Sequence, residues 1–149
     1  SLPAVIVASH RRVVDSYQEL FNLCPNIIGP EMARLGCECS EPGYAYTIDH
    51  NKEYTETNID IEYCEAVTEK KEDSELIKFK EVPAVKQALC LSHYGPYDKF
   101  PESWAKIYAY IEENGYRITD DPRFSYIDGI WNKDDESEWL TEIQVPVEK

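Results

Sequence analysis

The feature that most constrains the fold is a short motif that occurs twice in the chain. Leu2-Pro3-Ala4-Val5-x-x-Ala8 is followed 80 residues later, counted from position 2 to position 82, by Val82-Pro83-Ala84-Val85-x-x-Ala88. Further matches occur in the same order, and their spacing drifts to 82 near the end of the chain: Tyr17 with Tyr97, Tyr44 with Phe124, Tyr46 with Tyr126, Asp60 with Glu142 and Ile61 with Ile143. Such a series is typical of an internal duplication. We therefore predict two similar halves within residues 1–149, at 1–68 and 80–149, joined by a charged linker at 69–77.

Each half has the pattern of a strand, a helix and two further strands. In the first half, the helical pattern is interrupted at Pro25 and ends at Gly36. In the second half, an apolar stripe at helical spacing lies between Pro101 and Gly115. The strand-like runs lie at 2–8, 44–48, 57–63, 122–131 and 139–147. These elements predict an α+β fold, in which duplicated βαββ halves share an antiparallel sheet with helices on one face. We expect a central ligand groove along the seam, on the face without helices.

The last strand, at 139–147, alternates between apolar and polar residues. A strand that buries Ile143 and Val145 in the core points Glu142 to the opposite face of the sheet. Two interpretations of this residue stay open. On a face open to water, Glu142 is one more surface acid. In an apolar cavity, it is an anion with a raised pKa, suited to meet a positive charge or to act as a general acid or base.

Composition excludes several classes of function. The net charge of −14 argues against direct nucleic-acid contact by this domain, because phosphates need a basic surface. The five cysteines are scattered, and Cys37-x-Cys39 has neither a second pair nor a nearby histidine, so we predict no metal site. Scattered cysteines of this kind are typical of reduced thiols in a cytoplasmic protein. No apolar run is long enough to span a membrane, and we expect neither a membrane partner nor a cofactor.

Three segments carry a resemblance to a known family: Ser92-His-Tyr-Gly95-Pro96-Tyr97, Ile111-Glu-Glu-Asn-Gly115-Tyr116 and Glu142-Ile-Gln-Val-Pro146-Val. In these segments, and over essentially its whole length, the chain resembles the GyrI-like small-molecule-binding domains. Such domains also serve as effector-binding domains of AraC- and MerR-type multidrug-responsive transcription activators. The resemblance implies a pocket for bulky, lipophilic, often cationic aromatic compounds, in which a buried acid meets the positive charge. No helix-turn-helix pattern is visible, so we expect any DNA-binding part to precede Ser1.

The resemblance places the pocket acid at Glu142, and we expect aromatic side chains around it. The candidate ligand-binding residues are Glu142, Tyr46, Tyr97, Trp104, Tyr126 and Trp131. A carboxylate and aromatic faces suit a lipophilic cation because they compensate for the hydration that it loses in a dry pocket. Each aromatic residue also has a purely structural interpretation, as cross-strand packing, core packing or a hydrogen bond at a helix start. His93 is a possible catalytic base, although a lone histidine is more often structural.

These observations favour a domain that senses bulky, cationic aromatic molecules for a transcription regulator. Whether the chain is also an enzyme stays open. Some stand-alone relatives hydrolyse cyclopropane-bearing alkylating toxins, and Glu142 would be the catalytic residue in that case. A third hypothesis, also drawn from the family, is a protein-binding module of the gyrase-inhibitor kind.

Overall fold

The computed structural model describes residues 2–41, 43–51, 57–129 and 132–149. The strands are β1 Val5–Val14, β2 Ala45–Asp49, β3 Ile59–Ala66, β4 Lys78–Val82, β5 Ala88–Tyr94, β6 Arg117–Ile118, β7 Arg123–Asp128 and β8 Leu140–Glu148. The helices are α1 Leu20–Leu23, α2 Gly29–Arg34 and α3 Phe100–Glu113, with a π-helical turn at Cys24–Ile28 and 3₁₀ turns at Tyr17–Glu19, Tyr97–Lys99 and Glu136–Glu138. None of the described helices has the length and the apolar composition that crossing a membrane requires.

The order of the strands confirms the predicted α+β fold with two like halves. The antiparallel sheet runs β4-β1-β3-β2-β7-β8-β5, and the short β6 pairs with β8. The strands β1, β3 and β2 of the first half occur in the same relative order as β5, β8 and β7 of the second half. The halves meet where β2 pairs with β7, at Tyr46 opposite Ser125 and Thr47 opposite Phe124. The seam predicted from the duplication is therefore the β2–β7 pairing.

Residues 80 positions apart are equivalent at the helix starts of the two halves, but in the strands they do not point to the same face of the sheet. The two 3₁₀ turns begin at Tyr17 and Tyr97, which differ by 80 positions (97 minus 17). In the sheet, however, Tyr46 is opposite Ser125, so Tyr126 points to the other face. A difference of one residue is enough for this reversal, because successive side chains of a strand alternate between faces.

The sheet is strongly curled, which follows from its connectivity. β4 and β5 lie at opposite ends of the strand order, yet only residues 83–87 connect Val82 to Ala88. That connection reaches about 20 Å at most, whereas seven flat strands would span about 29 Å. A bridge between Leu2 and Val85 joins the two copies of the repeated motif near this closure.

The two faces of the curled sheet bury different side chains. The helices pack on one face, where Ile61 and Ile143 contact a cluster that includes Phe100 and Phe124. The rings of Phe100 and Phe124 are stacked with centroids 4.7 Å apart. A smaller apolar cluster on the opposite face contains Val7, Tyr46, Cys64 and Val82. We refer to these two sides as the helix face and the open face.

Two local predictions differ from the structure. Pro25 does not interrupt the first helical segment, because the chain widens into the π-helical turn Cys24–Ile28 and continues into α2. Gly29 suits this turn, since a side chain there would lie 2.9 Å from the Cys24 carbonyl oxygen. In addition, strand β4 directly follows the predicted charged linker and adds an edge strand to the first half. Gly36 and Gly115 follow their helices with positive φ angles, as predicted.

Candidate functional site

A cavity of about 690 Å³ lies on the helix face, between the first helical segment, the turn at Tyr97 and the sheet. Its volume is in the range of pockets that enclose drug-sized ligands. The lining residues are Leu20, Cys24, Pro25, Gly43, Tyr44, Ala45, Tyr63, Glu65, Tyr97 and Tyr126. Strand alternation explains two members of this set, because Tyr63 and Glu65 are two positions apart in β3 and both point to the helix face.

Three tyrosine rings, those of Tyr63, Tyr97 and Tyr126, form the aromatic part of the wall, whereas the Tyr44 ring packs against Tyr46 on the open face. The rings of Tyr97 and Tyr126 lie 5.7 Å apart, and Tyr97 is also stacked on Phe100 at 5.0 Å. The Tyr126 hydroxyl donates a hydrogen bond of 2.8 Å to Oγ1 of Thr47, which fixes the ring against β2. Burial raises the pKa of Tyr63, Tyr97 and Tyr126 well above the usual value of a phenol, so these side chains are neutral at physiological pH.

Glu65 is the acidic residue of the cavity wall. Its side chain is half-buried, and its Oε1 accepts a hydrogen bond from the Cys39 thiol at 3.5 Å. Burial raises the pKa of the neighbouring Cys24 thiol to about 11, which keeps that group neutral as well. Among the ten lining residues, Glu65 therefore supplies the negative charge that a cationic guest would meet.

The structure brings some of the predicted site residues together and separates others. Tyr97 and Tyr126 lie side by side in the cavity wall. Trp104 is buried in the core, where its ring contacts Phe124 edge-on at 5.3 Å. Trp131 lies outside the described residues, together with the part of the predicted 122–131 strand around it.

Glu142 and Tyr46 lie on the open face, across the sheet from the cavity. Glu142 is opposite Ser125 in β7 and Ser92 in β5, and Tyr46 is opposite Ser125 as well. Tyr46 is fully buried, with the guanidinium of Arg123 5.1 Å from its ring centre. The five predicted residues that the structure describes are thus divided between the helix side and the open face, because successive side chains of a strand point to opposite faces of the sheet.

A smaller groove of about 220 Å³ lies at the other end of the seam, among charged residues. Its central acid is Glu62, which is buried and bonded to His50 Nε2 at 2.8 Å. Glu62 also forms an ion pair with Lys80. Burial raises the pKa of Glu62, but the hydrogen bonds from Lys80 and His50 prevail and lower it below its usual value. The central acid of this groove is therefore already paired within the protein.

No group of three or more metal-ligating side chains is arranged around a common point in the described parts of the chain. The five cysteines are free thiols, and burial raises the pKa of Cys24, which lines the cavity. The arrangement is thus that of an apolar and phenolic container with one carboxylate, which suits binding of an organic molecule by desolvation, aromatic contact and charge.

The cavity residues that sequence reasoning missed are Tyr63, Cys24 and above all Glu65. A signal for Glu65 was present in the chain. Ile59, Ile61 and Tyr63 form an apolar stripe at every second position, and Glu65 is the next member of that stripe. An acid that continues a core-facing stripe at its end is placed beside buried side chains, whereas Glu142 lies on the face opposite to Ile143 and Val145.

The chain is similar to several known proteins. Residues 2–148 match the family described as GyrI-like small molecule binding domain. The C-terminal domain of EcmrR is 43% identical, with a TM-score of 0.93 over 99% of this chain and 94% of that domain. EcmrR in a cryo-EM complex with DNA matches with the same identity and TM-score, and there this chain spans 55% of the longer protein.

A hydrolase from Listeria innocua shares 12% identity and a TM-score of 0.63, over 99% of this chain and 89% of that one. This degree of likeness shows a common fold alone. No curated protein sequence matches the chain.

Proposed function

The chain belongs to the family of GyrI-like small molecule binding domains, and on this premise we propose that its tyrosine-lined cavity binds bulky, lipophilic aromatic molecules that carry a positive charge. The observation that carries this proposal is Glu65. It is a carboxylate in the wall of a cavity whose other lining residues are apolar, phenolic or thiol side chains. A neutral aromatic cavity would accept lipophilic molecules in general, and the carboxylate adds a preference for cations.

The physical reason is the cost of desolvation. A lipophilic cation loses part of its hydration on entering the cavity, and neutral side chains compensate for this loss only in part. A half-buried carboxylate attracts the cation more strongly than a surface acid does, because the surrounding dielectric is lower. The faces of the tyrosine rings add cation–π attraction of about 1–2 kcal/mol when the contact is desolvated. Together these terms favour a flat cation over a neutral molecule of the same shape.

We further propose that this domain is the effector-sensing part of a transcription regulator of the AraC or MerR type. The support is the 43% identity to the C-terminal domain of EcmrR, a protein that has been solved in a complex with DNA. The net charge of −14 is consistent with a domain that leaves DNA contact to another part of its chain. In this view the ligand acts by changing how the domain packs against that other part.

The test is a titration with rhodamine 6G, a lipophilic cation, and with Nile red, a neutral lipophilic dye. Glu65→Gln should weaken rhodamine binding by about tenfold to hundredfold, because a charged hydrogen-bonding group contributes about 1.5–3 kcal/mol. Nile red binding should change little. Glu112→Gln is a matched control, since Glu112 is exposed on α3 and its substitution alters the net charge equally.

Two results would count against the proposal. One is the absence of dye binding by the intact domain. The other is equal weakening of rhodamine by Glu65→Gln and Glu112→Gln, which would mean that only overall charge attracts the dye. Incubation with a cyclopropane-bearing alkylating agent tests the hydrolase alternative in the same preparation. Ring-opened product in catalytic amounts would favour an enzyme over a sensor.

A further inference from the structure

His93 is buried on the helix face, and both of its ring nitrogens are hydrogen-bonded. The residue is 4% exposed. Thr141 of β8 is opposite His93 of β5 on one side and opposite Tyr126 of β7 on the other, so His93 and Tyr126 point to the same face of the sheet. The ten described residues that line the cavity do not include His93, however. A role as a catalytic base, which the sequence left open, therefore has no support from the position of this side chain.

The chemistry of the two partners determines which nitrogen of the imidazole donates. Nε2 lies 3.0 Å from the carbonyl oxygen of Pro96, and Nδ1 lies 2.7 Å from Oγ of Ser103. A carbonyl oxygen only accepts hydrogen bonds, so Nε2 carries a hydrogen and donates to it. In the neutral imidazole Nδ1 is then the acceptor, and the Ser103 hydroxyl donates to it. One ring thus connects the turn after β5 to α3.

The carbonyl group that His93 binds belongs to the peptide bond between Pro96 and Tyr97. This peptide bond is planar, so a hydrogen bond that fixes its oxygen also fixes the backbone nitrogen of Tyr97. On the other side of Pro96, Gly95 has a φ angle of +114°, which glycine adopts at little cost. The Gly95 N–H donates to the Trp139 carbonyl at 2.9 Å. The turn that carries Tyr97 is therefore held by β5 and α3 through His93, and by the residue before β8 through Gly95.

A row of ring contacts also leads from His93 to the cavity wall. The His93 ring contacts the Phe100 ring edge-on at 4.7 Å, and Phe100 is stacked on Tyr97 at 5.0 Å. Tyr97 in turn lies 5.7 Å from Tyr126. Of these four residues, Tyr97 and Tyr126 line the cavity. His93 thus reaches Tyr97 along two routes, through the backbone at Pro96 and through the ring of Phe100.

We propose that His93 is a positioning residue for the ligand cavity, which holds the turn at Pro96 so that the Tyr97 ring lies in the cavity wall. This inference rests on the proposed binding function of the cavity. His93 contributes chiefly a hydrogen-bond donor at Nε2, and it neither touches the ligand nor exchanges a proton with it. The role therefore requires a donor at position 93 but not a group that changes its charge with pH.

Substitutions at His93 separate these two properties. His93→Gln keeps a donor and an acceptor but removes the titratable ring, so dye affinities should remain within about twofold of the unsubstituted domain. His93→Leu removes the donor and should weaken rhodamine 6G and Nile red alike, by about fivefold, since the position of the Tyr97 ring matters to both dyes. This variant leaves the Pro96 carbonyl with a partner, because the Lys99 N–H also donates to it at 3.2 Å. If His93→Leu nevertheless does not fold, His93→Phe removes the same donor and keeps a ring against Phe100.

The rings of Tyr97 and Tyr63 give a readout that needs no ligand. Both residues line the cavity, but Tyr63 is in β3 of the first half, away from the turn at Pro96. With ¹³C-labelled tyrosine, their ring signals are assigned by comparison with Tyr97→Phe and Tyr63→Phe. We expect shifted, motionally averaged Tyr97 signals and unchanged Tyr63 signals in His93→Leu and His93→Phe. In His93→Gln both sets of signals should match those of the unsubstituted domain, and a thermal melt shows that each variant is folded.

The results separate this inference from the proposed function. Unmoved Tyr97 signals in folded His93→Leu or His93→Phe would overturn the positioning role, whether or not dyes bind. Equal displacement of the Tyr97 and Tyr63 signals would also overturn it, because the substitution would then loosen the domain as a whole. The same holds if His93→Gln displaces the Tyr97 signals as much as His93→Leu does, since the retained donor would then have no effect. Displaced Tyr97 signals in a domain that binds no dye would support the positioning role and contradict the proposed ligand class.

Discussion

Filling the cavity from its floor should abolish much of its binding capacity without harming the fold. Ala45 is in β2, directly opposite Glu65, and its side chain lines the cavity. Ala45→Phe places a phenyl ring in this space, and the sheet accommodates it because aromatic residues are favourable in strands. The cavity of about 690 Å³ then loses the volume of one ring. A bulky ligand can then bury fewer of its atoms in the cavity, by about the number of atoms in the added ring.

The size of the effect follows from the number of ligand atoms that are displaced. A phenyl ring has six heavy atoms, and a drug-sized ligand gains about 0.3 kcal/mol for each heavy atom that it buries, so displacement of that many atoms costs about 1.8 kcal/mol. This corresponds to an affinity about twentyfold lower. The loss should be similar for rhodamine 6G and Nile red, since it arises from shape.

Ser92→Phe is the matched control for this experiment. Ser92 is exposed on the open face, opposite Glu142, and the substitution adds a ring there. Fluorescence titration of both variants compares the two faces directly, and a thermal melt verifies that each is folded. If Ser92→Phe weakens dye binding while Ala45→Phe does not, the ligand site is on the open face and the assignment of the helix-face cavity is wrong.

Three further predictions concern buried polar groups. Glu62→Gln should lower the melting temperature by about 6 °C near neutral pH, from a loss of about 2 kcal/mol. The pKa of Glu62 is lower in the folded state than in the unfolded state. The stabilisation of the fold by ionised Glu62 is therefore fully present above the unfolded pKa and is lost as the pH falls through the folded pKa. The melting temperatures of the variant and the parent should converge in acid. Iodoacetamide should alkylate Cys24 slowly until the pH approaches the pKa of this thiol, which is about 11. Bound rhodamine should slow the alkylation of Cys24, which lines the cavity, but not that of Cys90. Protection of both thiols would contradict the cavity assignment. Tyr126→Phe should cost about 1–2 kcal/mol in a denaturant titration, since the buried Thr47 hydroxyl loses its 2.8 Å partner; an unchanged free energy of unfolding would show that this bond is replaced.

Much of the fold could be predicted because duplication leaves a readable pattern. The helix α3 and its closing Gly115, the two like halves and the seam between them all follow from spacing and from local residue preferences. The curl of the sheet could not be predicted in the same way. It depends on which strands lie at the two edges, and strand order is a long-range property that neither propensity nor periodicity reports.

The candidate site was harder to predict, for a reason that concerns single residues. The alternation of β8 correctly places Glu142 on the face opposite Ile143. Sequence alone does not tell which face of a curled sheet carries a tyrosine-lined cavity, because that depends on where the helices leave the sheet uncovered. In this protein the cavity lies on the helix face, so the acid that lines it is Glu65 and not Glu142. The repeated tyrosines were misleading for a related reason. Tyr46 and Tyr126 have the spacing of the repeated motif, yet their side chains point to opposite faces of the sheet.

The most direct test of the account is a crystal structure of the domain with rhodamine 6G bound. We expect the dye in the helix-face cavity, with its cationic ring system against Tyr97 and Tyr126 and its positive charge within about 5 Å of the Glu65 carboxylate, the distance over which opposite charges interact strongly. A dye bound on the open face, with its charge on Glu142, would contradict the central claim.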